Sequence, residues 1–223
     1  MLALGMIAAL AMPGTAQATP QLGDLGVKQS MSVKASNGES LEGKDLRAIQ
    51  LATYTAASVD GNTIVGYDLT TNTALASDIT AAAKAAGATD TNLTVNGKND
   101  PMVWVVKNLT DSRSDPWSGK LRNFCNSLAK QTNFAKQDGT AVSTLSQDKA
   151  TMSTGNVLVP GIYAIVDRTP AITTLSSGTA IKTTASIMMM NGTAVNGVNQ
   201  LRTAGGTTLT LGQVIYKAVS YTH

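Results

Sequence analysis

The period of the hydrophobic pattern changes twice along this chain, and that change constrains the fold class. The alternation typical of half-buried β-strands occupies 30–36, 46–54, 63–69 and 181–190, and strands are also predicted after the Pro160-Gly161 turn over 162–167 and over 207–217. Between them, across 75–132, apolar residues recur at helical spacing. The order of strands, helices and strands predicts a mainly β (α+β) protein, an Ig-like antiparallel β-sandwich with a helical insertion around 75–132.

Short local signals mark the boundaries of these elements. Asp60-Gly61-Asn62 predicts the turn of a β-hairpin. Ser77 and Gly87 predict the start and the stop of a first helix. Asp100-Pro101 and Asp115-Pro116 each place an N-cap acid before a proline at the first helical position. The resulting short helices have modest apolar faces, so they need a sheet to pack against.

The composition limits the chemistry that this chain can perform. Its 223 residues are 43% hydrophobic, which is enough to build one packed core. It has a single histidine, His223, and a single cysteine, Cys125, which excludes most transition-metal sites and the usual histidine-dependent catalysis unless the last residue takes part. No phosphate-binding glycine motif occurs, and a net charge of +3 with scattered basic residues does not favour nucleic acid. We therefore expect no enzyme activity, no cofactor, no bound metal and no nucleic-acid partner.

Cys125 and the two tryptophans fall in the predicted helices. The stripe that holds Cys125 also contains Trp117, Leu121, Phe124 and Leu128. We interpret Cys125 as a small buried hydrophobe, and the alternative is a reactive thiol or one joined to a glutamine as a thioester. Trp104 and Trp117 lie on apolar stripes, so we expect them in the core rather than exposed for stacking on sugars.

Residues 1–18 are typical of a secretory signal peptide that is truncated at its start. The apolar run from Leu2 to Met12 is too short to span a hydrocarbon layer of ~30 Å. Ala16-Gln17-Ala18 fits the small-x-small rule and predicts cleavage between Ala18 and Thr19. The alternative is a buried N-terminal helix. No later stretch is apolar for long enough to predict a membrane span, so we expect a secreted or cell-surface protein.

The chain is expected to divide into a few unequal parts. After the signal peptide, 19–29 is polar and glycine-rich and is predicted to be a flexible lead-in. A single domain is expected over 30–217. Residues 218–223 form a tail at which we expect the chain to be truncated.

Several pieces of this sequence resemble one known family. They are Gly43–Tyr54 (GKDLRAIQLATY), Asp100-Pro101, Trp117–Leu128 and Val159–Asp167 (VPGIYAIVD). Together they are similar to the N-terminal domain of sortase-assembled shaft pilins, the fimbrial subunits of Gram-positive bacteria, of the bifidobacterial kind. The resemblance covers roughly 30–217, and the VPGIYAIVD strand is its most specific part.

The resemblance implies a subunit of a wall-associated surface pilus that mediates adhesion. It implies other pilin subunits and a separate sortase transpeptidase as partners, with host matrix or glycan as what the fibre contacts. The acceptor motif of the family is built around Tyr-Pro-Lys in the last strand. Tyr216-Lys217 stands in that place without the proline, so Lys217 is the candidate acceptor lysine, and an ordinary strand-end lysine is the alternative.

The sequence also departs from the family pattern. A Leu-Pro-x-Thr-Gly sorting signal and a hydrophobic tail do not occur, so we expect a fragment that lacks the later domains. An internal isopeptide bond needs a lysine, an asparagine and a carboxylate buried together. Lys34 or Lys182 with Asn191 and Glu42 are the residues available for it, and we do not predict that the bond forms. The alternative function is a stand-alone secreted binding module for a glycan or a host matrix protein.

Overall fold

A computed structural model describes residues 20–36, 39–95, 97–109, 119–169, 172–174, 180–182, 189–203 and 206–216. The strands in these ranges are β1 (Gln21–Leu22), β2 (Ser32–Ala35), β3 (Leu46–Asp60), β4 (Thr63–Thr71), β5 (Thr94–Val95), β6 (Lys98–Asn99), β7 (Thr140–Val142), β8 (Thr144–Leu145), β9 (Thr151–Ser153), β10 (Gly161–Asp167), β11 (Ile172–Thr174), β12 (Ala180–Lys182), β13 (Met189–Gly192), β14 (Gln200–Arg202), β15 (Thr208–Thr210) and β16 (Gln213–Tyr216). The helices are α1 (Ala76–Ala85), α2 (Pro101–Asn108), α3 (Lys120–Leu128) and α4 (Thr132–Ala135), with 3-10 turns at Thr73–Leu75 and Asp90–Leu93.

Two sheets form the body of the fold. The large sheet has the order β13-β10-β3-β4-β14-β15, and β1 and β7 also pair with β3. The small sheet has the order β16-β2-β9-β8. Pairing between the described strands is antiparallel, except that β14 runs parallel to β4 and β16 runs parallel to β2. The predicted mainly β sandwich with a helical insertion is confirmed.

The large sheet is the middle of three layers. Side chains alternate between its two faces, as in any strand. One face contributes Ile49 and Ala164 to an apolar cluster that includes Phe124 of α3. The other face contributes Ala48 and Ile165 to a separate cluster shared with the small sheet. The helices therefore cover one face of the large sheet, and the small sheet covers the other.

The helical insertion joins the sheet through polar side chains as well as apolar ones. Asp100 precedes Pro101 at the start of α2, as predicted, but its carboxylate accepts hydrogen bonds from the backbone N–H (3.1 Å) and the hydroxyl of Thr71. The Thr71 hydroxyl in turn accepts the backbone N–H of Met102 at 3.0 Å. The first turn of α2 is thus fixed to the end of β4.

The boundaries of α1 correct one prediction and agree with another. The helix begins at Ala76 with Leu75 in the N-cap position, so Ser77 lies inside the first turn and is not the cap. Asn72 instead caps the preceding 3-10 turn by accepting the N–H of Ala74 at 3.1 Å. Gly87 ends the helix with a φ of +105°, a conformation that glycine adopts without strain.

The last predicted strand, over 207–217, is wrong as a single element. It is divided into β15, in the large sheet, and β16, in the small sheet. Gly212 has a φ of +78° between them, and its N–H donates to the carbonyl of Gly192 at 2.7 Å. The chain crosses from one sheet to the other at this glycine. For the strand predicted over 181–190, the structure describes β12 and β13 at its two ends, and the residues between them lie outside the described ranges.

Candidate functional site

Three segments that are far apart in the sequence meet at one end of the sandwich. They are the turn before β3, the end of β10 and the end of β16. Tyr216 donates its hydroxyl hydrogen bond to Oδ2 of Asp167 at 2.6 Å. The Lys44 ammonium lies 3.7 Å from the same oxygen and 5.5 Å from the centre of the Tyr216 ring. We call these three residues, Lys44, Asp167 and Tyr216, the end cluster.

Strand pairing accounts for the position of each member of the end cluster. Asp167 is the last residue of β10 and pairs with Leu46, the first residue of β3. Lys44 lies two residues before Leu46, in a turn where its N–H donates to the carbonyl of Leu41 at 3.1 Å. Tyr216 is the last residue of β16, in register with Ala35 of β2. The two sheets thus bring their strand ends to one place.

The Asp167 carboxylate is the centre of the end cluster. Its side chain is only 8% exposed. One oxygen accepts the backbone N–H of Thr169 at 2.8 Å, and the other accepts the Tyr216 hydroxyl. These donors and the Lys44 ammonium compensate the cost of burying the negative charge.

Tyr216 acts in this cluster as a hydrogen-bond donor. Burial raises the pKa of its phenol well above the usual value, and the hydrogen bond to Asp167 and the charge of that carboxylate raise it further. The charge of Glu39 contributes in the same direction. The phenol therefore keeps its proton at neutral pH, and the bond to Asp167 persists.

Lys44 differs from the other lysines whose side chains the structure describes. Its side chain is 21% exposed within its ion pair, whereas the remaining described lysine side chains are all on the exposed surface. Lys149, which pairs with Glu42 at 2.7 Å, is 51% exposed. Lys44 is therefore an amine that is partly removed from water and still reaches the surface.

Further contacts between the turn before β3 and the end of β10 hold this end of the sandwich together. The backbone N–H of Asp45 donates to the Thr169 hydroxyl at 2.9 Å, and the backbone N–H of Arg168 donates to the Asp45 carbonyl at 2.7 Å. The Asp45 carboxylate accepts from Nε of Arg47 at 2.6 Å. The end cluster is therefore built on two strand ends that are hydrogen-bonded to each other, and not on an isolated loop.

The structure describes some of the site residues predicted from the sequence and not others. The predicted cleavage site, Ala18 and Thr19, lies outside the described ranges, as does the candidate acceptor Lys217. Tyr216, which precedes Lys217, is described and belongs to the end cluster. Trp117 and the helix start at 115–116 also lie outside the described ranges.

The residues available for an internal isopeptide bond are not brought together where they are described. Lys34 is exposed on β2. Glu42 is paired with Lys149. The side-chain amide of Asn191 donates to the carbonyl of Gln213 at 2.6 Å. The side chain of Lys182 lies outside the described part of the structure.

Cys125 and Trp104 lie in the helical layer, as the sequence predicts. Cys125 is 4% exposed and belongs to the apolar cluster between the helices and the large sheet. Trp104 is 9% exposed and belongs to the same cluster. The interpretation of Cys125 as a small buried hydrophobe is confirmed, and Trp104 is not exposed for stacking on a sugar ring.

Sequence reasoning missed two members of the end cluster, Lys44 and Asp167. Both lie in the segments that carry the resemblance, because Lys44 is in Gly43–Tyr54 and Asp167 ends Val159–Asp167. The signal available in the sequence was a charged residue at the edge of each apolar segment. Such residues are usually solvated, so the pairing of the strands is what distinguishes these two.

A cleft of about 280 Å³ provides a second surface of interest. Strands β3 and β7 and the loop that contains Val157 line it, with Gln50 and Thr140 as polar groups. Nε2 of Gln50 is buried and has no hydrogen-bond partner in the described part of the chain. Burial raises the pKa of Tyr163, which also lines the cleft, to about 12, and its hydroxyl donates to the carbonyl of Val159 at 2.9 Å. The cleft therefore offers neutral polar groups.

Within the described ranges, no three side chains among His, Cys, Asp and Glu are grouped closely enough to hold a metal ion. The helices in the same ranges are all too short, or too polar, to cross a bilayer.

No protein-family model matches the chain, and neither a curated protein nor a solved structure shows significant similarity to it.

Proposed function

We propose that this chain is a structural subunit of a cell-surface pilus, exported from the cell and joined to its neighbours by a separate sortase. The sequence resemblance to shaft pilins is the basis of this proposal. The mainly β sandwich with a helical insertion is the architecture which that resemblance implies. The chain would act as a building block and adhesion scaffold, and not as an enzyme.

The anchored end of β16 is the observation that carries the proposal. A subunit that is linked through a lysine needs that amine at a fixed position, which the transpeptidase can reach. Tyr216 is 6% exposed and is bonded to Asp167, so the last described residue before Lys217 is firmly held. Lys217 is therefore our candidate acceptor from the sequence, and the end cluster is its immediate neighbour in the chain.

The linkage reaction assigns the catalytic groups to the partner enzyme. The sortase would hold the sorting signal of one subunit as an acyl thioester, and a lysine amine of the next subunit would attack the acyl carbon. The subunit contributes the amine and its position. This division of labour agrees with the absence of a histidine-based catalytic pair from the sequence.

The partners and the location follow from the same proposal. Other pilin subunits and the sortase would contact this chain, and host matrix or glycan would contact the finished fibre. Export would remove residues 1–18. N-terminal sequencing of secreted protein checks this step, with Thr19 as the expected first residue and an intact Met1 as the contrary result.

The direct experiment is a transfer reaction in solution. Residues 19–223 are incubated with a pilin sortase and a peptide that carries its sorting signal, and the product is mapped by mass spectrometry. The expected product carries the peptide on a lysine, with Lys217 as the candidate, and Lys149→Arg serves as a matched exposed-lysine control. Linkage at a different lysine would refute Lys217 and retain the class of function. Absence of linkage at any lysine, with a sortase that is active on a control acceptor, would contradict the proposal.

The second candidate function is a secreted binding module. The cleft beside Gln50 favours it, because a buried amide without a partner is costly and a ligand acceptor group would relieve that cost. Specific binding on a glycan array or to a matrix protein, lost in Gln50→Leu and accompanied by no linkage at any lysine, would favour this candidate.

A further inference from the structure

The geometry points to Lys44 as an acyl-acceptor amine at the same end of the sandwich as Tyr216. We propose that Nζ of Lys44 accepts an acyl group from a thioester donor, with Asp167 as the proton acceptor beside it. This inference rests on the proposed function, because the polymerising enzyme would supply the thioester. It places the linkage on a residue that the resemblance to shaft pilins did not single out.

Burial is the first observation that supports Lys44. An ammonium in bulk water is strongly hydrated and must shed that water before the amine can attack a carbon atom. Lys44 is the one partly buried lysine among the lysine side chains that the structure describes. Its side chain is 21% exposed and Nζ lies beside the Asp167 carboxylate and the Tyr216 ring, so an incoming acyl group meets a positioned amine.

The adjacent carboxylate is the second observation. Oδ2 of Asp167 lies 3.7 Å from Nζ of Lys44, and the Asp167 side chain is 8% exposed. A carboxylate at this distance is placed to take a proton from the attacking amine after a small approach. Tyr216 and the Thr169 N–H hold the carboxylate in this orientation.

The chemistry of the step balances without a further reactant. The lysine ammonium gives one proton to Asp167, and the free amine attacks the thioester carbonyl carbon. The C–N bond forms and gives a tetrahedral intermediate, which loses the second amine proton as it collapses. Collapse breaks the C–S bond, the sulfur leaves as the thiolate of the donor and takes up that proton, and Asp167 returns its proton to solvent. The product is an amide on Lys44 together with a free thiol.

The chain contains a matched pair against which Lys44 can be judged. Lys149 and Glu42 also form an ion pair, at 2.7 Å, but their side chains are 51% and 59% exposed. Both lysines thus have a carboxylate partner, and they differ in how far the partner is buried and fixed. A general effect of ion pairing on reactivity would appear at both sites, and an effect of the end cluster would appear only at Lys44.

The first test uses a small thioester, so it does not depend on the sortase. Residues 19–223 are treated with limiting S-phenyl thioacetate, and acetylation at Lys44 and Lys149 is quantified by peptide mapping. We expect Asp167→Asn to slow acetylation of Lys44 about a hundredfold, the lower end of the range for a lost general base, and Glu42→Gln not to slow Lys149. If Asp167 only holds Lys44 in an ion pair, its removal would release the side chain, and acetylation of Lys44 would accelerate or stay the same. That acceleration, or no change, would overturn the inference.

The second test uses the sortase and separates this inference from the proposed function. The sorting-signal peptide is transferred to wild-type protein, Lys44→Arg and Lys217→Arg, with folding checked by circular dichroism. Linkage that maps to Lys44, is lost in Lys44→Arg and is retained in Lys217→Arg supports the inference. Linkage confined to Lys217 or to another lysine overturns it and leaves the proposed function standing. Linkage at no lysine contradicts the proposed function, and the thioester test then decides on Lys44 alone.

Discussion

Each side of the large sheet has a buried carboxylate, Asp78 in the helical layer and Asp167 at the end of β10. The two carboxylates have different partners. On the helical side, Asp78 of α1 is 6% exposed and accepts the Phe134 N–H at 2.8 Å and the Asn133 amide at 3.0 Å. On the sandwich side, Asp167 accepts from Tyr216 and lies beside the Lys44 ammonium. Asp78 therefore joins two helices through neutral donors, whereas Asp167 joins strand ends to a surface amine.

The partners of a buried carboxylate indicate whether it has a structural role or could take part in a reaction. Burial of a carboxylate is costly in both places, and hydrogen bonds compensate that cost in both. Asp78 has neutral partners, which fix the start of α4 and bring no reactive group with them. Asp167 has a partner that can take part in a reaction.

The apolar core of the helical side should give the largest effect. Phe124 is fully buried between the helices and the large sheet, so Phe124→Ala should lower the free energy of unfolding by ~3–5 kcal/mol. Val157 is 55% exposed, and Val157→Ala should stay within ~0.5 kcal/mol of wild type. Urea denaturation measures both. Equal small losses would mean that the helices do not pack as a core layer.

Substitutions of the two carboxylates should differ in their effects on stability and on the reactivity of Lys44. Asp78→Ala leaves the Phe134 N–H without its acceptor and should cost ~1–3 kcal/mol of unfolding free energy, with no effect on Lys44 acetylation. Asp167→Asn should reduce Lys44 acetylation about a hundredfold. Urea denaturation and peptide mapping on the same samples give the two values. A fall in Lys44 acetylation in the Asp78 variant would remove the distinction between the faces.

Alkaline pH should test the tyrosines of the sandwich side. The pKa of Tyr163 is raised from its ordinary value to about 12, so the folded protein keeps a proton that the unfolded chain loses from about pH 10 upward. The free energy of unfolding should therefore fall as pH rises from 10 to 12, and this residue should contribute up to ~1.4 kcal/mol per pH unit. Tyr163→Phe should flatten that part of the curve. An unchanged slope between pH 10 and 12 would contradict the assignment.

Substitution of Gly212, where the chain crosses between the sheets, should give the smallest loss of unfolding free energy. Gly212 has a φ of +78°, so Gly212→Ala should cost about 1 kcal/mol of unfolding free energy. Gly66 lies in β4 without a positive φ and with open space around it, so Gly66→Ala should be neutral or slightly stabilising. Thermal unfolding of the two variants compares them. A loss at Gly66 as large as that at Gly212 would argue against conformational strain as the cause.

The sequence was sufficient for those parts of the fold that depend on local pattern. Alternation predicted β2 and β4, the Pro160-Gly161 turn marked the start of β10, and helical spacing predicted an insertion that contains α1, α2 and α3. The division of the last strand was missed, although the apolar alternation of Leu209 and Leu211 shifts by one residue to Val214 and Tyr216 beyond Gly212, where the backbone changes sheet. A glycine in a strand pattern does not by itself reveal a positive φ.

The candidate site could be predicted only in part. Tyr216-Lys217 was found from a family motif, and the structure describes Tyr216 alone. Lys44 and Asp167 meet because β3 pairs with β10, and no periodicity in either segment specifies that pairing. Asp78 was likewise hidden, because its role as the acceptor for α4 depends on how two helices pack.

We propose that one end of the sandwich presents an amine, that of Lys44 or Lys217, for covalent linkage. Intact-mass measurement after incubation with sortase and sorting-signal peptide tests it most directly, on wild-type protein and on the double variant Lys44→Arg/Lys217→Arg. We expect the wild type to gain the mass of the transferred peptide and the double variant to gain none. A double variant that is labelled as fully as the wild type would contradict it.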